Sequence, residues 1–243
     1  GRAPDFLLIS IGGNDIGFGS IIRELITYCG KPSGRCAIDR VMTRLRALEK
    51  SFDDLAAEIA KLKVTRKVFL TEYPNLTQNE TGRPCDDINM EKTLGPASLG
   101  EMDYWIDVPS PWARIGVSAR ESEKAYRTVL RPLNEFLLKV AEKHGWTIVA
   151  GAEHQSAFKG WCARPSWFVR WIDSKHKQGM LPDAERPNRL SDRETTGVAH
   201  PNIYGHNWLN WQIRCHLEKE RILPPGSTQQ GGRGRAENCG ERR

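Results

Sequence analysis

The chain has 243 residues, 39% hydrophobic and 27% charged, a composition that suits a globular protein of one large domain or two small ones. No run of about 18 apolar residues occurs, which argues against a spanning helix and predicts no stable membrane insertion. The net charge of +6 and pI near 9.1 come from basic residues scattered among acids rather than gathered in one stripe, so nucleic acid is not an expected partner.

The first residue is Gly1, and an apolar run follows within a few positions with no charged or apolar leader before it, so the expectation is that something upstream has been removed. Phe6 to Ile11 predicts a strand buried on both faces, as in a parallel sheet. Gly12 and Gly13 then permit a tight turn that leaves Asn14 and Asp15 at the carboxyl end of the strand, the edge where open α/β sheets bind ligands. A helix is predicted over Ile16 to Tyr28, with Ile21, Ile22, Leu25 and Ile26 on one side.

A second helix is predicted over Ile38 to Leu62, where Val41, Leu45, Leu48, Phe52, Leu55 and Ile59 recur at spacings of three and four. Lys67 to Thr71 is a short strand. Ser118 to His144 is one long helix ended by Gly145, Trp146 to Ala150 a third strand, and Ile203 to Ile222 a last helix capped by Asn202. The alternation predicts an α/β fold with parallel strands and helical crossovers. Glu72 to Val117 and Gly151 to Ala199 have no clear period, fall after strands and hold Trp105, Trp112, Trp161, Trp167 and Trp171. Local packing is the expected use of these rings. From Pro224 the composition turns to Gly, Arg, Gln and Pro, so residues 224–243 are expected to be a disordered tail behind a domain over 1–223.

Six cysteines (Cys29, Cys36, Cys85, Cys162, Cys215 and Cys239) lack C-x-x-C spacing, which argues against zinc and for disulfides in an oxidising compartment. Cys29 and Cys36 bracket one short loop, and Cys85 and Cys162 lie in the two long segments expected to meet over the active edge. Both pairs are predicted, with Cys215 and Cys239 left open. The sequons at Asn75 and Asn79 fit an exported chain where the organism glycosylates.

The second informative stretch is Ala199 to His206, A-H-P-N-I-Y-G-H. Pro201 and Asn202 hold His200 on a rigid elbow, which a general base requires. Together I-G-G-N-D at Ile11 to Asp15 and H-P-N-x-x-G-H at His200 to His206 resemble the third and fifth conserved blocks of the SGNH hydrolases, also called the GDSL lipase and esterase family. T-E-Y-P at Thr71 to Pro74 is similar to what secreted bacterial members carry after the next strand.

The resemblance implies a three-layer α/β/α, flavodoxin-like fold and a serine ester hydrolase, secreted or periplasmic, that uses no cofactor and no metal and acts on a small-molecule or lipid ester. It makes Asn14 the oxyanion donor and His200 the base. Many relatives carry Asp three residues before the His, where this chain has Gly197. The Gly197 carbonyl is then the expected partner of the imidazole, with Asp192 and Glu194 as alternatives. The Gly-Asp-Ser block and the second-block Gly have no match. Ser10 is expected inside a strand and Ser20 lacks a nucleophile elbow, so neither fits the attacking role. The expectation is a family member whose first strands and nucleophile are missing, or else a non-catalytic binding protein on the same fold.

Overall fold

The computed structural model describes residues 3–21, 37–86, 117–169 and 199–224. Its centre is a parallel sheet of three strands, β1 (Phe6–Ile9), β2 (Lys67–Thr71) and β3 (Thr147–Val149), ordered β1-β2-β3. Ile9 is in register with Leu70, and Leu70 with Ile148. Helix α1 (Val41–Lys61) joins the first two strands. Between β2 and β3 run α2 (Ala119–Ala125), a π-helical turn (Tyr126–Leu130) and α3 (Arg131–His144). A short α4 (Ala152–Ser156) follows β3, and α5 (Ile203–Lys219) packs back on the sheet.

The two faces of the sheet separate by the period of two. Leu7, Ile9, Val68, Leu70 and Ile148 meet α1 and α3 in the main core, with Val41, Leu45, Leu48, Phe52 and Ile59 from one helix and Leu133, Leu137, Val140 and Ala141 from the other. Phe52 and Phe136 close this layer edge to face, with ring centroids 5.5 Å apart. Each wholly buried leucine here contributes about 2 kcal/mol. On the opposite face Phe69 and Val149 meet Leu217, Ile213 and Ile222 around α5. Helices thus cover both sides of the sheet, giving three layers.

Four expectations are corrected. β1 stops at Ile9, pairs among the described residues with β2 alone, and is buried on one face: Phe6 is 38% and Leu8 40% exposed. The reason is that α5 lies over β2 and β3 and leaves the far side of β1 uncovered. Ser10 therefore lies just past the strand, exposed, instead of within it. The predicted helix over 118–144 is interrupted by the π turn, where Pro132, which has no N–H to donate, opens the next helix, and the Tyr126 carbonyl accepts from Arg131, five residues on. Helix α5 ends at Lys219, short of Ile222. Of the helix predicted over Ile16 to Tyr28, Ile16 and Gly17 belong to the turn, residues 18–21 are helical and 22–28 lie outside the described residues, as do 225–243.

Chain punctuation behaves as the sequence indicates. Ser118 and Glu121 form a reciprocal capping box, and Gly145 is left-handed at φ 66°. At α5 the Asn202 side-chain oxygen accepts from the Tyr204 and Gly205 N–H groups, and its Nδ2 donates to the Ser166 carbonyl at 2.8 Å. Asn202→Ala is expected to cost about 1–2 kcal/mol in urea unfolding, since it removes a cap and a cross-loop bond together. An unchanged midpoint would show that neither bond holds the helix start.

Candidate active site at the carboxyl ends of the strands

Three loops leave the carboxyl ends of the strands. The first turns sharply after Ile11: Gly12 sits at φ +111°, Gly17 N–H donates to the Asn14 carbonyl at 2.8 Å, and Phe18 N–H donates to the Gly13 carbonyl at 3.0 Å. Gly13 admits no side chain, because a Cβ there would lie 2.8 Å from the Tyr73 ring and hydroxyl. This close approach lets the Gly13 N–H donate to the Tyr73 hydroxyl oxygen at 2.7 Å. Asn14 and Asp15 are exposed at the tip of the turn.

Behind the turn lies a buried polar network. Asn134 accepts the Tyr73 backbone N–H at 2.8 Å and returns a bond from Nδ2 to the Tyr73 carbonyl at 2.9 Å. Its Nδ2 also donates to Glu153 at 2.8 Å, and the other Glu153 oxygen accepts the Tyr126 hydroxyl at 2.6 Å. The π turn therefore aims Tyr126 at a carboxylate that follows β3. Burial, then the bond to Glu153, pushes the Tyr126 phenol up to about 12. Glu72, next to Tyr73, accepts from the Gly151 and Glu153 N–H groups at 2.8 and 3.1 Å.

Burial raises the Glu72 carboxyl above its ordinary value of 4.5, and the nearby Glu153 charge adds to this against the two backbone donors. A carboxyl with a raised folded-state pKa contributes stability that is complete below about 4.5 and is lost as pH climbs through the folded value. Glu72→Gln is thus expected to gain in melting temperature over the parent from pH 4 to pH 7, as its amide oxygen still accepts from the backbone. A difference that stays flat or reverses over that range would exclude the burial effect.

The second and third loops form a lobe over the strand ends. Trp161 N–H donates to the Leu76 carbonyl at 2.7 Å, Asn75 N–H donates to Ser156 Oγ at 2.6 Å, and a Cys85–Cys162 disulfide with Cα atoms 5.6 Å apart staples the two. Leu76, Cys85, Trp161, Phe168 and Ala199 make its core, with Phe18 and Trp167 packed against it. Trp161 is buried and Trp167 lies against Trp208, ring centroids 4.9 Å apart, so both serve packing. Asn75 is buried with its side-chain oxygen accepting from Thr77, which leaves no room for a glycan on that sequon in the folded chain.

His200 joins this lobe through its backbone. Ala199 N–H donates to the Val169 carbonyl at 2.9 Å, and the His200 carbonyl accepts from Val169 N–H at 2.8 Å. Gly205 lets α5 start directly against the Trp167 carbonyl, which a Cβ would strike. The imidazole residue is exposed. Since Phe18 and Ala199 pack on one cluster, the segment four residues after Asn14 and the residue before His200 are held at the same end of the sheet.

Gly197, Asp192 and Glu194 lie outside the described residues, as do Cys29, Cys36 and Cys239. Cys215 is disulfide-bonded, and no described cysteine is free. Disulfides point to an oxidising compartment. No described helix is long and apolar enough to cross a membrane, and no group of three or more metal-ligating side chains occurs among the described residues. A recess lined by Asp53, Ile59, Val68, His144 and Trp146 lies at the opposite, amino end of the strands. The sequence reading missed Tyr73, Asn134 and Glu153 as supports of the Asn14 turn. One signal was present: Asn134 is an amide between Leu133 and Leu137, which are wholly buried.

No protein-family model and no curated protein matches the chain. Among solved structures, an extracellular lipase from Streptomyces rimosus aligns with a TM-score of 0.48 at 15% identity, over 81% of this chain and 62% of the lipase. The chain thus spans less than two thirds of that protein's length. Similarity of this extent transfers no chemistry, and the α/β assignment rests on the chain's own sheet and layers.

Proposed function

We propose that the chain is part of a secreted carboxylic ester hydrolase of the SGNH type, acting through a serine acyl-enzyme on a small-molecule or lipid ester. The observation that supports the reading is that Phe18, four residues past Asn14, and Ala199, next to His200, pack in one apolar cluster although they are far apart in sequence. In this reading Asn14 Nδ2 donates to the negative oxygen of the tetrahedral intermediate, and the Gly13–Tyr73 bond keeps the turn from swinging away. His200 takes the proton from the attacking hydroxyl and returns it to the leaving alcohol. The Gly197 carbonyl orients the imidazole; it fixes the tautomer and stabilises the imidazolium less than a carboxylate would.

The reading assigns no nucleophile within these 243 residues, because no Gly-Asp-Ser block is present. A second reading, a non-catalytic binding protein on the same fold, is favoured by that same observation. Assay of short-chain p-nitrophenyl ester hydrolysis separates the two. The chain alone is expected to be inert, and a version carrying a Gly-Asp-Ser strand-and-turn segment ahead of Phe6 is expected to turn over. Failure of a folded fusion to hydrolyse any ester favours the binding reading.

A further inference from the structure

The most exposed large apolar side chains among those described are Ile203 at 66%, Tyr204 at 65% and Phe158 at 53%. Scattered single apolar residues on a surface require no explanation, but these are joined by the backbone. Trp167 donates its N–H to the Lys159 carbonyl at 2.9 Å and accepts the Asn202 N–H at 2.8 Å. The residue after Phe158 and the residue before Ile203 are therefore tied through a single residue, and His200 lies on the same elbow. Phe158 in turn packs over Gly82, whose Cβ position lies 3.0 Å from its ring.

The same lobe carries Arg83, Lys159 and Arg164, and none of them forms an ion pair among the described residues. Glu80 lies beside them: its carboxylate accepts the Arg164 backbone N–H at 3.1 Å and is held below its ordinary value, first by backbone donors and then by Arg164 and Lys159. Three cations against one nearby carboxylate, beside exposed rings and an aliphatic chain, are the elements of an interfacial surface: the apolar groups enter the headgroup boundary and the cations meet anionic lipid.

We propose that this rim, Phe158, Ile203 and Tyr204 with Arg83, Lys159 and Arg164, docks the chain on an anionic lipid surface. A second copy is disfavoured as occupant, since two such rims would oppose like charges. Nucleic acid would leave Ile203 without a role. The docking stands apart from ester chemistry; only its consequence, bringing a lipid ester to His200, rests on the proposed function.

The test is co-sedimentation of the 243-residue chain with vesicles of phosphatidylcholine, alone or rich in phosphatidylglycerol. Binding is expected to the anionic vesicles and to be far weaker on the neutral ones. Lys159→Gln with Arg164→Gln should weaken anionic binding about 25-fold, at about fivefold per cation, and leave neutral binding unchanged. Phe158→Ser with Ile203→Ser should weaken binding to both vesicle types by about tenfold or more. All four positions lie at or near the surface, and an unchanged circular dichroism melt confirms that the variants fold. Unaltered vesicle binding by either double variant overturns the proposal, as does concentration-dependent dimerisation or duplex DNA binding through these residues with no vesicle binding. Ester hydrolysis is not read, so failure here leaves the function assay independent.

Discussion

Replacing Cys85 and Cys162 together by alanine is expected to lower the unfolding free energy by about 4 kcal/mol. The bond closes a separation of 77 residues, and in the chain-entropy account a loop of that length stabilises by about that amount. The local setting supports the upper part of the range. Both cysteines belong to the lobe core with Leu76, Trp161 and Phe168, and the Cys85 carbonyl accepts the Ser122 hydroxyl at 2.8 Å. The bond ties the segment after β2 to the segment after β3, so its loss should also appear as faster proteolysis between Asn75 and Val169. Urea denaturation of parent and double variant measures the first effect. A difference below about 1 kcal/mol would mean that the lobe is held by its packing, and that the disulfide only decorates it.

In a fusion that carries a Gly-Asp-Ser segment ahead of Phe6, the proposed function predicts that His200→Ala reduces kcat by about 10⁴-fold or more and Asn14→Ala by about 100-fold. In the proposed roles the two differ because a base acts in both half-reactions, whereas Asn14 would be one donor among those of an oxyanion hole. The Asn14 effect should fall on kcat with KM little changed, since its bond strengthens only as the oxygen becomes negative. Tyr73→Phe acts through another group: it removes the acceptor of the Gly13 N–H while keeping the ring. It should therefore resemble a weak Asn14 variant in kcat. Esterase activity of the 243-residue chain by itself, lost on His200→Ala, would reveal an attacking residue within this sequence and remove the case for a missing one. Ser10 would then be the first to test, as it is exposed just past β1.

The local order of the chain was legible from residue spacing. The period over Val41 to Ile59, the run at Lys67 to Thr71, the glycine stop at Gly145 and the cap at Asn202 all depend on contacts within a few residues, and each stands where the pattern indicates. The parallel sheet followed from the alternation of strands and helices, because parallel neighbours require a crossover. Pairing of Cys85 with Cys162 also followed, from two long segments leaving the same edge of one sheet.

Other features were decided by contacts that no local pattern encodes. Phe6 to Ile11 has the composition of a strand covered on both sides, yet Phe6 and Leu8 are exposed, because a strand's burial depends on which helix lies over it and α5 reaches only β2 and β3. The π turn at Tyr126 comes from a proline one turn on and a carboxylate after β3, and the second of these is 27 residues away. The polar chain from Gly13 through Tyr73 and Asn134 to Glu153 likewise joins the loops after all three strands. Sequence by itself determined the elements and the residue types at their ends. Only the tertiary structure decided which of those ends share hydrogen bonds, because satisfying buried polar groups is a property of neighbours in space and leaves no period in the chain.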